Sequence, residues 1–129
     1  MNSVMIVEDD EILAQTLEAH LTREGFEVEV AANAFAALDR LDLRKFTVVL
    51  TDIGMPQGTP NGLSLARMVR MRDPQCRIVL MTGRVDFAQQ GDSFGAQVFV
   101  KPVDLDALTA GIRKEIAAPA APSPPADQD

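Results

Sequence analysis

The stretch Thr47-Val48-Val49-Leu50-Thr51-Asp52, continued by Ile53-Gly54-Met55-Pro56, decides the fold of this chain. Its uninterrupted apolar run is typical of a strand that is buried on both faces in the middle of a parallel sheet. The glycine and proline that follow predict a turn, so Asp52 marks the end of the strand. Ligands of open α/β sheets bind outside the carboxyl ends of the strands, which makes Asp52 a candidate functional residue. An Asp after a strand also opens many ordinary turns, so other residues must decide its role.

Outward from this strand, short apolar runs alternate with segments of helical periodicity. Predicted strands precede and follow it at residues 4–7, 26–30, 77–82 and 97–100. Predicted helices start near Asp10, Asn33, Asn61 and Asp104, residue types that favour helix N-caps. The alternation predicts an α/β fold with a doubly wound, five-stranded parallel sheet in the flavodoxin-like order 2-1-3-4-5.

The fourth helical segment is the weakest of the pattern. Gly91, Asp92 and Ser93 are poor residues for a helix interior, and each gives up about 0.5–1 kcal/mol relative to Ala. The sequence therefore predicts a shortened fourth helix of two turns or fewer between residues 84 and 95.

Length and composition indicate one globular domain at residues 1–117 and a disordered Ala/Pro-rich tail at residues 118–129. A formal net charge of −7 disfavours nucleic acid as a direct partner. The single cysteine excludes an internal disulfide and suits a cytoplasmic location. The apolar runs are too short for a membrane span, and the first residues do not form a signal peptide, so no membrane association is expected.

Reactive side chains follow four of the five predicted strands. Strand 1 ends in Glu8 and Asp9, strand 3 in Asp52, strand 4 in Thr82 and strand 5 in Lys101. Right-handed crossovers bring these ends to one edge of the sheet, where the carboxylates repel one another unless a cation lies between them. Oxygen-only ligands favour Mg²⁺, and the Cys/His spacing of a zinc site is missing from the sequence. A carboxylate beside Mg²⁺, a hydroxyl and an ammonium group suggests phosphoryl transfer to the carboxylate.

Four motifs together carry a resemblance to a known family. The chain resembles the receiver domain of bacterial two-component response regulators, with a likeness to the chemotaxis regulators, over about residues 3–117. The matching motifs are Val7-Glu8-Asp9-Asp10, Thr51-Asp52-Ile53-Gly54-Met55-Pro56, Met81-Thr82-Gly83 and Val100-Lys101-Pro102.

The resemblance implies a phosphorylation-controlled signalling module and not a classical enzyme. Asp52 would accept a phosphoryl group from a sensor histidine kinase or a histidine phosphotransfer protein, and a conformational change would signal to a downstream protein target. Thr82 and Lys101 would bind the phosphoryl group. Asp9, Asp52 and the backbone carbonyl of Gly54 would be direct Mg²⁺ ligands, with Glu8 acting through water. Slow self-phosphorylation from small phosphodonors and slow self-dephosphorylation would complete the activity.

The chain departs from the family pattern at three places. The stretch from Thr82 to Lys101 is a few residues shorter than usual, and the loss falls on the fourth helix. The loop between residues 52 and 62 is longer than usual, and Val98 stands where the family usually has a switch aromatic, with Phe99 next to it. Strand alternation predicts that these two side chains point to opposite faces of the sheet.

Three alternatives remain at this point. A flavodoxin-like redox carrier would need a phosphate-binding loop after strand 1, where the acids would repel a phosphate. An aspartyl-phosphate hydrolase would need, by resemblance to such families, a second Asp at the position of Gly54. A phosphorylation-independent protein-interaction scaffold with a receiver fold would not need the acids, Thr82 and Lys101 to be intact.

Overall fold

The apolar stretch at residues 48–52 is the middle strand of a five-stranded parallel sheet in the order β2-β1-β3-β4-β5. The structure is a computed structural model that describes residues 1–119. The strands are β1 (Ser3–Val7), β2 (Glu27–Ala31), β3 (Val48–Asp52), β4 (Arg77–Thr82) and β5 (Gln97–Val100). The helices are α1 (Glu11–Arg23), α2 (Ala34–Leu43), α3 (Gly62–Arg72), α4 (Val85–Phe94) and α5 (Leu105–Ala117). The predicted fold class and strand order are therefore confirmed.

Helices cover both faces of the sheet, so the central strands are buried completely. All five residues of β1 and of β3 are buried. Alternate residues along β3 enter two separate cores: Val49 packs toward α2, α3 and α4, whereas Val48 and Leu50 pack toward α1 and α5. Burial on both faces explains why these strands read as continuous apolar runs.

The pairing register of neighbouring strands aligns their carboxyl ends. Val7 pairs with Thr51, Asp52 with Met81, and Thr82 with Val100. The residues that follow these pairs in the chain therefore project from one edge of the sheet.

Side-chain caps fix where four of the helices begin. Asp10, Asn33, Asn61 and Asp104 each accept hydrogen bonds from backbone N–H groups in the first turn of the helix that follows. Such caps satisfy donors that have no partner within the helix. The predicted helix starts are confirmed.

The fourth helix is longer than the sequence predicts. α4 contains ten residues, as many as α2, so the expectation of two turns or fewer is wrong. Gly91 is a poor helix former, but its lack of a side chain is needed at this position. A Cβ atom there would lie 2.5 Å from Cγ2 of Val98 and 3.1 Å from Cδ1 of Leu80. The glycine weakens the helix locally but allows α4 to pack closely on β4 and β5. Gly95, with a φ of +92°, then ends the helix in the left-handed conformation that favours glycine.

The side chains of β5 alternate as predicted. Val98 packs against the core on the α4 side, whereas Phe99 packs against the core on the α5 side. A Cβ atom on Gly111 of α5 would lie 2.5 Å from Cζ of Phe99, so α5 also approaches the strand through a glycine.

Within residues 1–119, no helix combines the length and the apolar character that crossing a membrane requires. α5 ends at Ala117. The predicted disordered tail falls mostly at residues 120–129, outside the described part of the chain.

Candidate acidic site at the carboxyl edge of the sheet

Three acidic side chains from two neighbouring strands meet at the carboxyl edge of the sheet. Glu8, Asp9 and Asp52 each offer a carboxylate oxygen, and these oxygens lie within 4.8 Å of one another. Glu8 is 2% exposed and Asp52 is 7% exposed, whereas Asp9 faces solvent. The buried pair lies at the ends of β1 and β3, as the strand register requires.

Lys101 links the two buried acids. Its Nζ lies 2.6 Å from Oδ2 of Asp52 and 2.7 Å from Oε1 of Glu8. The second oxygen of Glu8 accepts a hydrogen bond of 3.2 Å from the backbone N–H of Asp10. One ammonium group thus partly balances two carboxylates that share a buried space. The peptide bond between Lys101 and Pro102 is cis.

For both Glu8 and Lys101, burial and ion pairing shift the pKa in opposite directions. Burial raises the pKa of the Glu8 carboxyl above its ordinary value, and the charge of Asp52 adds to this, although the hydrogen bond from Lys101 opposes it. Burial by itself would lower the pKa of Lys101, but its hydrogen bonds to Asp52 and Glu8 outweigh burial and raise that pKa. Lys101 therefore stays an ammonium ion at neutral pH.

The carboxylate of Asp52 is held at both oxygens. Oδ1 accepts a hydrogen bond of 3.0 Å from the backbone N–H of Gly54, while Oδ2 accepts the bond from Lys101. The backbone is fixed as well, because the N–H of Ile53 bonds to the carbonyl of Met81 and the N–H of Gly62 bonds to the carbonyl of Ile53.

The predicted site residue Thr82 lies at the end of β4, next to the end of β5. Its backbone carbonyl accepts a 2.8 Å hydrogen bond from the N–H of Lys101. Its hydroxyl, however, bonds to the backbone of Arg84: it accepts from the N–H at 3.0 Å and lies 3.3 Å from the carbonyl oxygen. The structure thus brings Glu8, Asp9, Asp52 and Lys101 into one cluster and holds the Thr82 hydroxyl toward α4.

The donor set fits a hard divalent cation. It consists of carboxylate oxygens, one of them on exposed Asp9, where an ion can enter from solvent. Three carboxylates facing one ammonium group leave a negative charge that Mg²⁺ would balance. A buried carboxylate beside such a cation and an ammonium group is equipped to receive a phosphoryl group, whose oxygens need both positive charges.

Two features of the site lie outside the sequence-based expectations. One is the bond between Lys101 and Glu8, because Glu8 was expected to act through water on a metal ion. The other is Gly62, where an added Cβ atom would overlap the carbonyl oxygen of Asp52. The sequence signal for the second was present, since a glycine directly after the N-cap Asn61 is an uncommon choice for the first position of a helix.

Comparisons with known proteins agree on one family. The family model described as the response regulator receiver domain matches residues 4–113. The response regulator ArlR of Staphylococcus haemolyticus is 31% identical over 116 residues, covering 88% of this chain and 52% of that protein. The response regulator receiver protein CpdR of Brucella abortus is 33% identical over 121 residues, covering 92% of this chain and 99% of that protein. The chain thus spans about half the length of the first relative and nearly all of the second.

Solved structures show the same likeness. The response regulator TrrA of Thermotoga maritima, crystallised in complex with Mg(2+)-BeF, superposes with a TM-score of 0.80 at 27% sequence identity. The match covers 88% of this chain and 98% of that one.

Proposed function

The chain belongs to the family of response regulator receiver domains, and we propose that Asp52 is the residue that accepts the phosphoryl group. The observation that carries this assignment is the position of its carboxylate, which lies at the end of β3 in contact with Lys101 and within reach of Glu8 and Asp9. A flavodoxin-like redox carrier is thereby set aside, because the family is that of signalling phospho-acceptors. An aspartyl-phosphate hydrolase is set aside for the same reason.

Asp9, Asp52 and the backbone carbonyl of Gly54 would hold Mg²⁺ directly, and Glu8 would act through water. The bound ion supplies positive charge for the oxygens of the transferring phosphoryl group. The acid cluster supports this set, and TrrA, a similar protein, was crystallised with Mg(2+)-BeF.

The partner would be a phosphohistidine on a sensor histidine kinase or a histidine phosphotransfer protein. In the transfer, an oxygen of Asp52 forms a bond to phosphorus, and the bond from phosphorus to the histidine nitrogen breaks. The nitrogen keeps the electron pair of that bond, and the product on this chain is an acyl phosphate.

Lys101 and Thr82 would bind the phosphoryl group once it is formed. Lys101 then exchanges its bond with Asp52 for one with a phosphoryl oxygen, as a point charge can do. The hydroxyl of Thr82 must turn away from Arg84 to donate to the same group. That turn would couple the site to the start of α4, because Arg84 is the N-cap of that helix.

Intact mass after incubation with acetyl phosphate tests the assignment, with and without Mg²⁺. We expect the wild type to gain one phosphoryl group only with Mg²⁺, through slow self-phosphorylation, and to lose it slowly afterwards. Asp52→Asn should gain none, whereas Asp39→Asn, which changes an exposed acid on α2, should behave like the wild type. A stable phosphoryl group on Asp52→Asn would refute the assignment. No gain by the wild type from either acetyl phosphate or a phosphorylated histidine phosphotransfer protein would favour the scaffold alternative.

A further inference from the structure

The ring of Phe87, in the first turn of α4, lies near Gly54, which follows the acceptor Asp52 by two residues. A single Cβ atom placed on Gly54 would lie 3.8 Å from Oδ1 of Asp52 and 3.9 Å from Cε2 of Phe87. The ring of Phe87 and the carboxylate of Asp52 therefore both lie within 4 Å of the position that a side chain at residue 54 would take. Phe87 is half-buried and packs against the core on the α4 side of the sheet.

An ion pair between Arg84 and Asp86 packs on the ring of Phe87. The guanidinium of Arg84 lies over Phe87, with its central carbon 4.4 Å from the ring centroid. Its Nε and Nη2 donate to the two carboxylate oxygens of Asp86 at 3.2 and 2.9 Å. This bidentate contact fixes the plane of the guanidinium, so that it can stack on the ring. The same bond keeps the pKa of Asp86 below its ordinary value.

The backbone of Arg84 ties the stack to the site. Its N–H and carbonyl both engage the hydroxyl of Thr82, and Arg84 is the N-cap of α4 without a side-chain cap of its own. The position of Phe87 thus depends on the short segment that joins β4 to α4.

We propose that Phe87, held in place by Arg84 and Asp86, covers the α4 side of Asp52 and slows hydrolysis of its phosphoryl group. The inference rests on the proposed function of Asp52. In hydrolysis, a water oxygen forms a bond to phosphorus and the bond between phosphorus and the Asp52 oxygen breaks. The electron pair returns to the carboxylate, a proton of the water is released, and inorganic phosphate leaves.

An apolar ring beside the reacting centre reduces the access of water and so protects a reactive intermediate. Gly54 and Gly83 carry no side chains that could do so, and an added Cβ atom at Gly83 would meet no atom within 4 Å. The position that a Gly54 side chain would take is instead bordered by the ring of Phe87. Phe87 acts as a positioning residue, because it shapes the approach of water without touching the reacting atoms.

The experiment follows the decay of the phosphorylated protein by intact mass after removal of acetyl phosphate. We expect Phe87→Ala and Arg84→Ala to shorten the half-life by about three- to tenfold, where tenfold corresponds to a barrier change of about 1.4 kcal/mol. Phe87→Leu restores most of the apolar bulk and should restore most of the half-life. Thermal unfolding of each variant establishes that it is folded, and the exposed Arg84 serves if Phe87→Ala does not fold.

A matched control exists at the other end of the same helix. Arg70 stacks on Phe94 with a distance of 4.1 Å to the ring centroid, but this pair lies at the end of α4 away from the acidic site. Arg70→Ala should therefore leave the half-life unchanged.

A normal gain of the phosphoryl group with unchanged decay in Phe87→Ala and Arg84→Ala would overturn the inference alone. Equal acceleration by Arg70→Ala would also overturn it, because the effect would then come from a loosened helix. No gain of a phosphoryl group by the wild type would overturn the proposed function and, with it, this inference.

Discussion

Gly62 packs so closely on Asp52 that a methyl group at position 62 would overlap the carbonyl oxygen of Asp52. Gly62 is the first residue of α3, and its N–H donates to the carbonyl of Ile53. The start of one helix therefore lies directly on the backbone that carries the acceptor. The loop between β3 and α3 thus returns the chain to the end of β3.

Gly62→Ala should lower the free energy of unfolding by about 1–3 kcal/mol, because backbone atoms cannot rotate away from the added methyl group. Thermal or denaturant unfolding measures the loss. Gly83→Ala is the matched control: an added Cβ atom there meets nothing within 4 Å, and its stability should hardly change. A Gly62→Ala protein as stable as the wild type would contradict the close contact.

Millimolar Mg²⁺ should raise the melting temperature of the wild type by a few degrees. An ion at ten times its Kd stabilises the folded state by about 1.4 kcal/mol. Asp9→Ala should be more stable than the wild type without metal, because it removes a repelling charge, and nearly indifferent to Mg²⁺. Glu11→Ala changes an exposed acid in the first turn of α1 and should keep the full response. A wild type that ignores Mg²⁺ would count against the acid cluster as a metal site.

Glu8→Gln should stabilise the metal-free protein at pH 7, and the gain should shrink as the pH falls. The pKa of Glu8 is raised in the folded state above its ordinary value of 4.5. Its contribution to stability is therefore fully present below pH 4.5 and is lost as the pH rises through the folded pKa. The neutral amide avoids that loss. Unfolding at pH 7 and near pH 4.5 measures the difference, and Glu18→Gln, on the exposed face of α1, should show none.

Gly91→Ala should destabilise the wild type although alanine favours helix. The methyl group would lie 2.5 Å from Cγ2 of Val98, and relieving such an overlap costs about 1–3 kcal/mol against about 1 kcal/mol of helix propensity. In a Val98→Ala background, the same change should become neutral or stabilising. A double-mutant cycle measured by denaturant unfolding gives the coupling, expected at about 0.5–3 kcal/mol. Additive effects would mean that α4 does not depend on this contact.

Much of the site could be predicted because it follows from local signals. Short apolar runs identified the strands, and the parallel order placed Glu8, Asp52 and Lys101 at one edge, where the structure joins them. The N-caps of four helices were equally local, since each depends on one side chain and the next turn.

What the sequence did not reveal depends on tertiary contacts. Gly91 counts against a helix by intrinsic propensity, yet its missing side chain is what allows α4 to pack on Val98. The bond between Lys101 and Glu8 joins residues 93 positions apart. Burial of the Glu8 carboxylate favours this bond over contact with water, and burial cannot be read from the local sequence.

The two hydrogen bonds on Asp52, from Gly54 and Lys101, have a consequence for reaction entropy. A free carboxylate rotates about its side-chain bonds, and a productive encounter must select one orientation. Here that selection is made when the protein folds, and the acceptor meets each donor with its oxygens already directed. Such alignment removes part of the entropic barrier that a donor in solution would otherwise face. Under the proposed function, a small phosphodonor without any docking surface would then meet a nucleophile that is already oriented.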